Sequence, residues 1–235
     1  MDSYRVPAGR SAWPVSTLLG RLEAQTAARL IGAGRRRMIG AGELLLRQGG
    51  QERTLVLLLS GVAKVFATTE SGHQALLAVR VGGDCVGEMG ALDGAPRSAT
   101  VTACGPMELA VLTHASLDAQ LARTPGLAVE LSRTIADRLR WANRRRLDFG
   151  GYPVKVRLAR LLTELAREHG SPGPDGVRLA FPLTQPELAA LTGAAETTVH
   201  KALRDMRTAG LVETGYGAAV LRDPGRLEEL AEHGS

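Results

Sequence analysis

The chain of 235 residues holds only two cysteines, Cys85 and Cys104. Two thiols cannot supply the four thiolates of an iron–sulfur cluster. Cys85 sits in an apolar strand pattern and reads as a small core residue. Long apolar runs are also missing: none approaches the roughly 18 residues of a membrane span. The start Met1-Asp2-Ser3-Tyr4-Arg5 is not followed by the apolar region of a signal peptide. A cytoplasmic protein with no membrane partner is expected, and that compartment argues against a disulfide. Histidine is sparse in the strand-rich stretch, where His73 and His114 form no His-x-His group, which argues against a metal-dependent enzyme. No nucleophile, base and orienting acid emerge as a set, so the chain is not read as an enzyme. No metal, haem or iron–sulfur centre is expected.

Basic residues exceed acidic ones by 29 to 24, a formal net charge of +5. The excess lies in the first 150 residues, concentrated at Arg133, Arg138, Arg140, Arg144, Arg145 and Arg146, whereas residues 151–235 are nearly neutral. Net charge alone therefore does not locate a nucleic-acid surface. The length allows more than one domain, each with its own core.

The most informative segment is Gly87-Glu88-Met89-Gly90-Ala91-Leu92-Asp93-Gly94-Ala95-Pro96-Arg97-Ser98-Ala99-Thr100-Val101. Gly87 lacks a Cβ and lets the backbone approach a ligand closely, and Glu88 to Leu92 can form a short helix whose first N–H groups favour a phosphate. Arg97 adds a planar, always-charged fork that matches phosphate oxygens, and Ser98 adds a donor. Glu88 would repel phosphate, so a sugar hydroxyl is its natural target. On spacing alone, the same stretch would also serve as a solvated surface turn.

Around this segment, residues 13–34 show helical spacing. From Gly42 short apolar runs (Leu44–Leu46, Leu55–Leu59, Val62–Phe66, Ala75–Val81, Ala99–Ala103, Leu109–Thr113) alternate with glycine turns, the pattern of a β-barrel or jelly roll. A long helix is expected from about Gly126 to Phe149. Its seam of Ala128, Ile135, Leu139, Ala142 and Phe149 suits a two-helix interface, though packing on its own barrel would use the same residues. Asp148-Phe149-Gly150-Gly151-Tyr152-Pro153 is expected to break that helix and act as a hinge. Val154–Arg167 reads as a buried helix and Ser171–Gly176 as a loop.

Thr184-Gln185-Pro186-Glu187 carries a capping box with proline near the first turn. Ala189, Gly193 and Val199 stand where a helix-turn-helix needs a small residue, a positive-φ turn and an apolar contact. A generic helical hairpin would also accept them. The glycine-bearing hairpin expected over Gly210–Leu221 supplies a wing. With Val199, Leu203 and Met206 buried, the second helix presents Glu196, Thr197, His200, Lys201 and Arg204. Lysine can donate to guanine, glutamate can accept from cytosine and threonine can touch a thymine methyl. Thr198, Arg204, Thr184 and Gln185 are expected at phosphates, and His200 in solvent.

The run Val86-Gly87-Glu88-Met89…Arg97-Ser98-Ala99-Thr100-Val101 resembles the phosphate-binding cassette of the cyclic-AMP receptor (CRP/FNR) family of transcription regulators, and the 184–221 segment resembles that family's DNA-binding domain. The resemblance implies an α+β protein: an N-terminal jelly-roll cyclic-nucleotide-binding domain with N-terminal helices over 1–125, a dimerisation helix and hinge over 126–150, and a winged helix-turn-helix domain over 151–235. It implies that Glu88 holds the ribose 2′-hydroxyl, that Arg97 and Ser98 hold the cyclic phosphate with the Gly87–Met89 amides, that Val65, Leu77 and Ala78 line the base, and that Val86 also belongs to the ligand site. It further implies a parallel homodimer, a near-palindromic double-stranded DNA site, RNA polymerase as a partner and cAMP as the effector. Two departures stand out. The family's adenine-contacting threonine and serine are here Ala142 and Asn143, and Glu196-Thr197…Lys201 stands where the best-known recognition helix presents Arg-Glu…Arg. The first leaves open another cyclic nucleotide or a loss of cAMP dependence. A nucleotide-binding subunit acting on a protein partner is the remaining alternative, and it has no use for a winged helix-turn-helix.

Overall fold

The computed structural model describes residues 13–72, 74–179, 181–215 and 218–233. The Met1–Arg5 start, His73 and the Tyr216–Gly217 turn of the expected wing lie outside them. The described residues divide into two compact units, one up to Gln74 and over Ala78–Arg138, the other over Ala75–Leu77 and from Leu139 onward. Among the described residues no helix is long and apolar enough to cross a membrane.

The first unit begins with helices α1 (Leu18–Arg21) and α2 (Ala24–Gly32) and continues with strands β1 (Arg35–Ile39), β2 (Leu44–Leu46), β3 (Leu55–Leu58), β4 (Val62–Thr68), β5 (Gln74–Val81) and β6 (Cys85–Val86). Helix α3 (Glu88–Asp93) follows, then β7 (Thr100–Ala103), β8 (Met107–Leu112), α4 (His114–Arg123) and the long α5 (Pro125–Gly151), whose residues from Leu139 onward belong to the second unit. The strands form two four-stranded sheets ordered β1-β8-β3-β6 and β2-β7-β4-β5. Strand β3 shows why a continuous apolar run was required: all four of its residues are buried. Leu55 and Leu57 join a cluster with Leu18, Leu30, Leu117, Leu127 and Leu131, while Val56 and Leu58 join Val86, Val101 and Leu109. Each such full burial contributes roughly 1.5–3 kcal/mol.

Strand β1 was not anticipated. Arg35, Arg36, Arg37 and Met38 are exposed and only Ile39 is buried, so no apolar alternation marks it. It pairs with β8 at the end of its sheet, where charged side chains block edge-to-edge association.

Helix α5 corrects the expected break. It runs through Gly150 and Gly151, and the Tyr152 N–H still donates to the Asp148 carbonyl at 3.2 Å. A helical glycine costs about 1 kcal/mol but keeps its N–H, whereas proline lacks that donor. The chain therefore turns at Tyr152-Pro153, and α6 (Val154–His169) follows.

The second unit continues with β9 (Gly170–Gly173), β10 (Gly176–Leu179), α7 (Gln185–Thr192), α8 (Glu196–Thr208), β11 (Val212–Gly215), β12 (Ala218–Leu221) and α9 (Pro224–His233). The segment expected as a loop over Ser171–Gly176 is instead strand β9 and the start of β10, with Pro172 opposite Val177. Strand β9 is at the end of the β11-β12-β10-β9 sheet, where a missing N–H is tolerated.

Candidate functional site

The cassette is built around one left-handed residue. Gly87 (φ 80, ψ 11) ends β6 and caps α3, and a Cβ there would stand 2.6 Å from Arg97 Nη1 and 2.9 Å from the Thr54 carbonyl oxygen. Only glycine satisfies both the backbone and the space. Arg97 fills that space. Its Nη1 donates to the Gly87 carbonyl at 2.6 Å, and its Nη2 donates to the Thr54 carbonyl and hydroxyl at 2.6 and 2.9 Å. Backbone bonds to Gly49 and Gly50 at 2.8 and 2.9 Å hold its main chain. The side chain is 4% exposed, and its Nε is buried with no acceptor among the described residues. Burial draws the guanidinium below its ordinary range, opposed by Glu52 and Glu88.

Glu88, only 7% exposed, faces a cation that the sequence reading missed. Its Oε1 lies 2.7 Å from Arg138 Nη1, and Arg138 Nη2 donates to the Cys85 carbonyl at 2.7 Å and to Asp84 Oδ1 at 3.2 Å. Burial pushes the Glu88 carboxyl upward, but the Arg138 charge and hydrogen bond outweigh it and hold the group below its ordinary value of 4.5. Arg138 is raised in turn: burial opposes its charge, and the carboxylates of Glu88 and Asp84 more than offset that. The Cys85 thiol beside them is pushed up to about 12, chiefly by burial, so it stays protonated and inert. A signal for Arg138 was present. Leu127, Leu131 and Thr134 are buried at 4-3 spacing along α5, and the next position of that stripe is Arg138.

Of the other residues expected at the ligand, Val86 is buried in the same cluster against which Val65 packs, and Ala78 is buried. Met89 and Ser98 are exposed. Leu77 is exposed and belongs to the second unit, as do Ala142 and Asn143, both exposed on α5.

In the second unit the capping box forms as expected: the Glu187 N–H donates to Thr184 Oγ1 at 3.4 Å and the Thr184 N–H to Glu187 Oε2 at 2.7 Å. Gly193 takes φ 59 between α7 and α8. Val199, Leu203 and Met206 are buried, which turns Glu196, Thr197, Thr198, His200, Lys201 and Arg204 outward; Thr184 and Gln185 are exposed as well. Strands β11 and β12 pair from Val212↔Leu221 to Gly215↔Ala218. Arg222 ties this hairpin to the neighbouring one, bonding Glu213 and lying 3.0 Å from Asp175 Oδ1, and the Glu213 hydrogen bond raises its pKa.

The cyclic nucleotide-binding domain family matches residues 36–124, and the Crp-like helix-turn-helix domain family matches residues 156–230. The chain is 32% identical over 197 residues to the cyclic AMP receptor protein of Thermus thermophilus, covering 83% of this chain and 88% of that protein. It is 28% identical over 190 residues to a CRP-like cAMP-activated global transcriptional regulator of Mycobacterium tuberculosis, covering 81% and 85%. Among solved structures, the CRP/FNR-family regulator TTHA1359 of Thermus thermophilus superposes with a TM-score of 0.69 at 27% identity, over 84% of this chain and 98% of that one.

Proposed function

Because the chain belongs to the cyclic-AMP receptor (CRP/FNR) family of transcription regulators, we propose that it senses cAMP and binds near-palindromic DNA as a cytoplasmic homodimer that engages RNA polymerase. Its parts are a nucleotide-binding domain over 1–125, a dimerisation helix with hinge over 126–150 and a winged helix-turn-helix domain over 151–235. The observation that carries the ligand reading is the pairing of two buried groups of opposite sign on one short turn. The buried Arg97 Nε is a donor that a phosphate oxygen would satisfy, and the ionised Glu88 is an acceptor suited to a ribose hydroxyl. Ser98 and the Gly87–Met89 amides complete the phosphate side, Val65, Leu77 and Ala78 line the base, and Val86 belongs to the same site.

The apolar side chains Val129, Leu139 and Leu147 are 59%, 60% and 75% exposed on α5, which supports a helix partner. Lys201, Glu196 and Thr197 read base edges in the major groove; Thr198, Arg204, Thr184 and Gln185 meet phosphates, and His200 remains solvated. Two such helices about 34 Å apart fit half-sites separated by one helical turn. Effector and DNA bias the same dimer, so each changes the other's affinity by the same factor.

Ala142 supports a second reading, in which another cyclic nucleotide is the effector or none is, because its side chain cannot hydrogen-bond a purine. Asn143 can serve either purine edge. Calorimetry with cAMP and cGMP at millimolar concentration decides between these readings: heat with cAMP that Arg97→Ala abolishes is expected, and no heat with either nucleotide refutes the sensing role. Selection of DNA sites by the purified protein, with and without cAMP, tests the regulatory half.

A further inference from the structure

The buried stripe of α5 that yields Arg138 does not stop there. Its 4-3 spacing continues to Arg145 and Asp148, which are 7% and 3% exposed, within the second unit. Charges on the dry side of a helix need partners, and α6 supplies them. Arg160 Nη1 donates to Asp148 Oδ1 at 2.8 Å, Arg145 Nη2 lies 3.0 Å from Asp148 Oδ2 and 3.1 Å from Glu164 Oε2, and Arg144 Nη2 donates to Glu164 Oε1 at 3.0 Å. Arg160 also donates from Nε to the Ala231 carbonyl of α9 at 2.8 Å, and its guanidinium stacks 3.8 Å from the Tyr152 ring centre. A second tie joins the same helix end to the α7–α8 turn. Arg157 Nη1 donates to the Thr192 and Gly193 carbonyls at 2.8 and 3.2 Å and lies 3.5 Å from the Phe149 carbonyl oxygen. The Phe149 ring fills the space over Gly193, where a Cβ would come within 2.9 Å of it.

These contacts span the Tyr152-Pro153 corner on both sides. A corner between two helices is a natural hinge, since proline removes the hydrogen bond that would continue the first. Here it is bridged by ion pairs centred on the buried Asp148 and Arg145, with Glu164 and Arg160 partly exposed and Arg144 open to water. Buried ion pairs add little net stability relative to apolar packing, but they penalise any geometry that separates them, because each charge is then left unpaired. Such a network is suited to holding an angle rather than to deepening a fold.

We propose that Asp148, acting through Arg145 and Arg160, is a positioning residue that locks the end of the long helix to α6 and α9, so that the helix end and the DNA-reading helices move as one lever. The bending needed to couple nucleotide to DNA then falls elsewhere than at the glycine pair. This inference rests on the regulatory reading above, and its test has an arm independent of it.

The test uses the full chain as Asp148→Asn, Arg160→Gln, the double variant and the conservative Asp148→Glu, read by amide hydrogen exchange without nucleotide or DNA, by cAMP affinity and by DNA affinity with and without cAMP. Expected is an acceleration of about tenfold or more in exchange over 149–160 in Asp148→Asn, with exchange in the barrel and cAMP affinity within about twofold of wild type. The ratio of DNA affinities with and without cAMP should fall by about tenfold, Asp148→Glu should restore part of it, and the double variant should fall short of the product of the two singles. Unchanged exchange over 149–160 overturns the lock. Faster exchange with an unchanged DNA ratio overturns the positioning role. Should Asp148→Asn fail to fold, Arg160→Gln at the half-exposed end of the network is judged by the same criteria. If the wild type shows no cAMP-dependent DNA binding, the regulatory reading falls while the exchange measurement still decides the lock.

Discussion

Arg138→Met should change not only how stable the protein is but how its stability responds to acid. Methionine keeps most of the side-chain volume, so what is lost is the positive charge that meets Glu88 at 2.7 Å and Asp84 at 3.2 Å. Both carboxylates are nearly buried, with 7% and 9% exposure. Removing one partner of a buried pair costs about 3–5 kcal/mol, because the remaining charge stays desolvated. At roughly 2–4 °C per kcal/mol for a chain of this size, the melting temperature at pH 7 should fall by roughly 6–20 °C. In the wild type the Glu88 carboxyl is held below its ordinary value of 4.5, so its contribution stands above that pH and is lost as pH falls through the folded value. In the variant burial dominates and the carboxyl moves above its unfolded value. Its folded form is then fully stable only below the unfolded value and weakens as pH rises through the folded one. The gap between wild type and variant should therefore narrow as pH falls from 7 toward 5, and adding Glu88→Gln to the variant should recover much of the loss at pH 7. Urea melts at both pH values measure this. A gap that is the same at both, and indifferent to Glu88→Gln, would refute the ion-pair account.

Gly87→Ala forces a left-handed alanine, at about 1–2 kcal/mol, and sets its methyl 2.6 Å from Arg97 Nη1. Nucleotide affinity should fall with it, as followed by calorimetry, whereas Gly72→Ala, also at positive φ but with open space around it, should lose only stability. Thr184→Ala removes a formed capping box and should lower the stability of the second unit by about 1 kcal/mol, seen as a shifted denaturation midpoint. Lys201→Ala should weaken binding to the selected DNA site by about 1–3 kcal/mol and relax the sequence preference at one base-pair position in a repeated site selection; a uniform loss across all sequences would assign Lys201 to phosphate instead.

Much of this protein was legible where local chemistry has one solution. A glycine before Glu88 with an arginine beyond the turn, and a threonine three residues before Glu187, each declare a geometry within a few residues, and the structure places Gly87 at positive φ and closes the capping box. The apolar runs marked β3, whose burial is continuous, and β7, whose burial alternates. Strand β1 and strand β9 escaped that reading. One is held at a sheet edge by backbone pairing while its arginines stay in water, and the other carries a proline, Pro172, that only an edge admits. The glycine pair at 150–151 does not end α5, since two glycines weaken a helix whereas a proline ends it.

The order of the parts is written along the chain: a strand-rich nucleotide cassette, a long helix, and a helix-turn-helix with its wing. Each is encoded by spacing or by a residue with few conformational options. What the charges do depends on the packing of distant segments. The arginines of α5 look alike along the chain, yet Arg138 meets Glu88 and Arg145 meets Asp148 and Glu164 in near-dry surroundings, while Arg146 faces water. Helical phase sets which of them turn inward, and the partners that make burial tolerable come from segments distant in sequence. An ion pair depends on separation in space and on the loss of water around it.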